Sequence, residues 1–170
     1  MSSLREPIKV IADIFAHELP LDAAHITLND EKWNIPKDEG IFMHLSIIGP
    51  SKPISSGSEL DTSVTPPIER QRMTSLEAIQ VDFMSYNTDA RTRHNEIGMA
   101  LASFYSKQAQ EANNLQIAKL TTPLNDTSSL EGTGMLKRFT TTISVTALFV
   151  KVKAAEYFDT FATPEIVPNV

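Results

Sequence analysis

The chain has 170 residues and a mass of 18.8 kDa, enough for one domain. Its 21 Asp and Glu outweigh 15 Lys and Arg, and the net charge of −6 argues against a protein whose main task is to grip nucleic acid. There is no cysteine, which excludes disulfides, thiolate metal sites and cysteine nucleophiles, and 41% hydrophobic residues are too many for a disordered chain.

The first expected element is a helix. Ser3-Leu-Arg-Glu6 fits a capping box with Pro7 in the first turn. Leu4, Ile8, Ile11 and Phe15 keep helical spacing, Val10 and Ile14 widen the stripe, and Pro20 ends it. Arg5, Glu6, Lys9 and Asp13 break any signal-peptide core, and no apolar run approaches the roughly 18 residues of a membrane span, so the reading is of a soluble cytoplasmic product with no membrane partner. A short strand is expected over 25–28. Residues 41–48 alternate, with Ile41, Met43, Leu45 and Ile47 on one face of a strand.

Residues 49–71 carry Pro50, Pro53, Pro66 and Pro67 among Gly, Ser and Thr, four of the ten prolines. Prolines at that density do not suit a central strand, so this reads as a long irregular loop whose ends alone can pair. A strand is expected over 73–86, with Ile79, Val81 and Phe83 on one face. Asn87 then caps one helix reaching Asn113-Asn114, with Ala90, Ile97, Leu101 and Phe104 in its buried stripe and Ala100 and Tyr105 beside it. A short strand over 115–120, a polar loop over 121–134 and a long strand over 139–152 follow. That last strand places Phe139, Ile143, Val145, Ala147 and Phe149 opposite a row of threonines. A short helix is expected over 154–161. The whole is an α+β domain over 1–161, a small and mostly antiparallel sheet flanked by helices, with an extended tail over 162–170 marked by Pro164 and Pro168.

Nothing in this order asks for catalysis or a cofactor. His17, His25, His44 and His94 form no paired metal-ligand motif, no serine sits in a nucleophile elbow, and Asp22, Asp38, Asp61 and Asp82 show no spacing of paired catalytic carboxylates. Arginine is enriched at interfaces, so Arg91, Arg93 and Arg138, with Lys137, are candidates for partner contact. Met84 and Tyr86 lie on the second face of their strand and suit either a neighbouring subunit or a cover within the chain. Pro53, Glu59 and Asp126 stand in the irregular segments, and Pro164 and Ile166 in the tail, as further interface candidates.

The run Val81-Asp-Phe-Met-Ser-Tyr-Asn-Thr-Asp-Ala-Arg91 is a strand, an aromatic-polar turn and the opening of a helix. After it come Phe104-Tyr105, the Ile117 strand, Leu124-Asn-Asp-Thr127, Arg138-Phe139 and Glu156-Tyr-Phe-Asp-Thr-Phe161, with Trp33-Asn-Ile-Pro36 ahead of the first long strand. In this order of phrases the chain resembles the tail terminator (neck terminator) proteins of long-tailed bacteriophages, over roughly residues 30–161. The resemblance implies a virion structural protein assembled in the host cytoplasm. It implies a homo-hexameric ring that caps the tail tube, stops its growth and docks the head-side connector, with a sheath as a further neighbour and DNA passing through the lumen. Six copies would carry −36, and a carboxylate-lined lumen would repel phosphates. Another head–tail connector or tail-completion protein stands as the alternative. Outside that class stand a small cytoplasmic α+β enzyme or ligand-binding domain and a host adaptor.

Overall fold

The computed structural model describes residues 6–29, 38, 40–118, 122–131 and 134–155. α1 (Pro7–Glu18) starts on Pro7, which needs no N–H partner, and its apolar stripe buries Ile8, Val10, Ile11, Ile14 and Phe15. Full burial of such a side chain stabilises by about 1.5–3 kcal/mol, so this one face anchors the helix to the sheet. A 3-10 turn over Ala23–His25 leads into β1 (Ile26–Leu28). β2 (Phe42–Ile47) runs parallel to β1 and antiparallel to β4 (Ile68–Ser85). β3 (Lys52–Asp61) is also antiparallel to β4, further along it.

After β4 the chain forms α2 (Asp89–Arg93), α3 (Glu96–Ala102) and α4 (Phe104–Ala112). β5 (Leu115–Ile117), β6 (Asn125–Asp126) and β7 (Ser129–Glu131) all pair with β8 (Gly134–Ala154). β8 in turn pairs with the whole length of β4, from Ile68 opposite Ala154 to Ser85 opposite Lys137. The result is an α+β fold with a large mixed sheet in the central order β1-β2-β4-β8-β5. The core lies on one face, where Ile79, Val81 and Phe83 of β4 and Ile143 and Val145 of β8 meet α1 and α3.

Several expectations change. The segment 49–71 is strand rather than loop. β3 occupies its middle and β4 begins inside it, because Ile68 to Leu76 offers an unbroken edge on which β3 completes its hydrogen bonds. Pro53 and the register irregularity between Pro53 and Ser55 fall on the outermost strand, where a missing N–H costs least. The sheet is accordingly larger than expected, and β1–β2 makes it mixed.

The single long helix is three. Ser103 has an extended backbone and caps α4, its Oγ accepting the Ser106 N–H at 3.0 Å. The break turns Phe104 out to 75% exposure, so it leaves the buried stripe, whereas Ala90, Ile97, Ala100 and Leu101 are buried as expected. The polar loop over 121–134 contains β6 and β7. Ala154 closes β8 and Ala155 is not helical, so the expected terminal helix does not begin at Ala154; its residues 156–161 lie outside the described residues, as do Ser3 of the capping box and Trp33.

Candidate functional site

β4 and β8 outrun the helical layer. β2 backs β4 only from Ile79 to Met84, and β5 backs β8 only at 145–147. Beyond those points β3, β4 and β8 continue as a three-stranded arm, 52–76 with 148–154, about 30 Å long for the nine residues of β4 in it. Every residue of β3 except Asp61 is exposed. Met73, Val150, Val152, Leu60 and Ile54 leave large apolar surface in solvent. The central strand of the arm, Ile68–Leu76, is half-buried to exposed apart from the buried Ser75, so large apolar side chains stand partly in solvent along it.

Three ion pairs bind the arm together: Arg70 Nη2 to Asp61 Oδ2 at 3.2 Å, Arg72 Nη2 to Glu59 Oε2 at 3.2 Å, and Lys153 Nζ to Glu69 Oε2 at 3.0 Å. Hydrogen bonds from the Ser63 side chain and backbone hold the Asp61 carboxyl below its usual range, with Arg70 adding to them. Each of the arm's carboxylates is thereby matched. Its five cations exceed them by two, leaving Lys52 and Lys151 over and the arm at +2, against −8 for the rest of the chain. Along the helix-side face of the arm runs an open groove of about 610 Å³, with Met73, Phe149, Gln71, Ser58 and Lys151 among its walls.

At the other end of the sheet a polar network sits on the helix-free face. Asp82 is buried, with its side chain 1% exposed, and accepts hydrogen bonds from Arg138 Nη2 at 2.6 Å, Thr140 Oγ1 at 2.6 Å and Gln80 Nε2 at 3.0 Å. Burial pushes the Asp82 carboxyl up, but the bonds from Arg138, Thr140 and Gln80 and the Arg138 charge outweigh it, and the group stays below the ordinary carboxylate range. Ser85, fully buried, closes this end. Its Oγ accepts the Ala90 N–H at 2.9 Å and donates to the Asn87 carbonyl at 3.1 Å, so the turn into α2 is held from inside.

The candidate residues divide between the two ends. Pro53 and Glu59 lie on the arm. Arg138 is committed to Asp82, and Arg93 is committed to Glu96 at 2.7 Å. Lys137 donates to Met135 Sδ at 3.1 Å. Arg91 is exposed, and Asp126 faces both it and Lys137. The Ser128 hydroxyl and N–H lower the Asp126 carboxyl first, and those two cations lower it further. Met84 is not a surface residue: it is 3% exposed and clusters with Phe42, its cross-strand neighbour on β2, and Leu136 of β8 in a small second core. Tyr86 is 37% exposed and tilts against Phe42. Pro164 and Ile166 lie outside the described residues.

The expected strands over 73–86 and 139–152 reach into the arm, whereas β3 and the first residues of β4 were read as loop: Ile68 to Leu76 shows no apolar alternation, and prolines stand before it. The histidines do not converge: His17 stacks on Tyr105, His94 on Phe139, and His25 pairs with Asp38 at 2.9 Å. Among the described residues no group of three His, Asp or Glu could hold a metal ion, and no helix is long and apolar enough to cross a membrane. The chain was compared with protein-family models and with curated proteins, and neither comparison found a match.

Proposed function

We propose that this chain is a self-assembling structural protein of the tail-terminator kind. Copies form a ring, of about six subunits in that family, that caps the phage tail tube and docks the head-side connector, with DNA passing through. The observation that carries the reading is the arm: about 30 Å of three-stranded sheet with exposed apolar side chains and an exposed edge strand, running on past the helix-packed core. Such an arm suits a ring subunit, whose neighbours bury its exposed apolar side chains across a head-to-tail interface.

The charge distribution supports the same reading, since the +2 arm complements the −8 of the remaining chain and favours head-to-tail contact between copies. The resemblance in the strand-turn-helix run from Val81 to Arg91 selects the terminator class. Light scattering with negative-stain imaging of the purified chain tests it, alone and with tail tubes. Rings of about six copies, or density on tube ends, are expected. A strict monomer that ignores tube ends and binds a metabolite refutes the proposal.

A further inference from the structure

We infer that residues 156–170 of one copy seat in the arm groove of a second copy. The inference rests on the self-association proposed above and names the segment that makes the contact. The tail starts at the tip of the arm, where the Ala155 N–H bonds the Pro67 carbonyl at 2.9 Å. It holds Glu156, Asp159 and Glu165 and no cation, so it carries −3 together with the apolar side chains of Tyr157, Phe158 and Phe161. The groove offers the complement. Met73, 44% exposed, and Phe149 form its apolar floor, and Lys151 stands there without an ion pair among the described residues.

A second copy is the occupant inferred, because the self-association proposed above brings a neighbour's −3 segment to Lys151 of the groove. Fifteen residues span up to about 50 Å when extended, which is ample for a neighbour.

The native chain has no cysteine, so introduced thiols report without background. Full-length Met73→Cys and full-length Phe161→Cys chains are made separately, mixed and oxidised, with Lys151→Cys as a second groove position. A disulfide joining two chains is expected at least ten-fold above a control that pairs Phe161→Cys with Met99→Cys, which is 71% exposed on α3. Lys151→Glu in the Met73→Cys chain is expected to lower the yield roughly five-fold. Linkage no greater than in the control overturns the inference, and so does linkage within single chains only when both cysteines share one chain. Light scattering on the same samples keeps the two ideas apart. Rings without the 73–161 link overturn the tail contact and leave the ring, whereas linked dimers support the tail contact and overturn the ring.

Discussion

Replacing Arg138 by Met removes the cation that neutralises Asp82. The carboxylate is left with Thr140 and Gln80 only, in a site where its side chain is 1% exposed. Breaking a fully buried pair by removing one partner costs roughly 3–5 kcal/mol. The Arg138 side chain is 36% exposed, so water screens part of the interaction, and about 2 kcal/mol is the expected loss at pH 7. For a chain of this size that lowers Tm by about 4–8 °C. The loss has a pH signature. In the native chain the Asp82 carboxyl is depressed, so its stabilising contribution is present above about pH 4 and fades as the pH falls further. In the variant, burial acts with its largest opponent removed, so the folded-state pKa is higher and the penalty is relieved on acidification. The gap between the two proteins therefore narrows as the pH falls through about 4. Urea titrations at pH 7, 5 and 3.5, with m values compared, measure it. A change below about 0.5 kcal/mol at pH 7, or one independent of pH, would refute the reasoning.

Phe83→Ala empties a fully buried site near the end of β4 and is expected to cost about 3–5 kcal/mol in urea denaturation. Ser103→Ala deletes the cap of α4 and is expected to cost about 1 kcal/mol, with a matching fall in helical circular dichroism. Hydrogen exchange on the monomeric chain should show β4 slowest from Val81 to Ser85, with β3 amides exchanging at least ~100-fold faster, because no layer covers the arm. Equal protection along both segments would contradict an uncovered arm.

How far the sequence could be read depended on the period of its apolar residues. α1 and the body strands were legible because burial on one face writes a period of 3.6 or 2 into Ile8, Ile11 and Phe15, or into Ile79, Val81 and Phe83. β3 was not legible, since a strand with no covered face has no burial to record and its prolines spoke for a loop. The break at Ser103 was equally hidden: Phe104 continued the helical spacing, and only the cap geometry turned it outward. Met84 and Tyr86 shared a strand face in sequence, yet Met84 is buried with Phe42 and Leu136 while Tyr86 stays partly in solvent.

By itself, then, the sequence determined the α+β class, the main core residues of α1, β4 and β8 with Met43 and Leu45 of β2 (Ile47, expected beside them, is exposed), and the absence of thiol chemistry. All of these follow from composition or from neighbours a few positions apart. Tertiary structure decided where 49–71 goes, which cations are spent on internal carboxylates and which are left over, and that β4 and β8 outrun their cover. Those outcomes depend on partners as distant as Asp82 and Arg138, or Ile68 and Ala154. Strand pairing and ion pairing between such partners satisfy backbone and charge without leaving a local pattern in the chain.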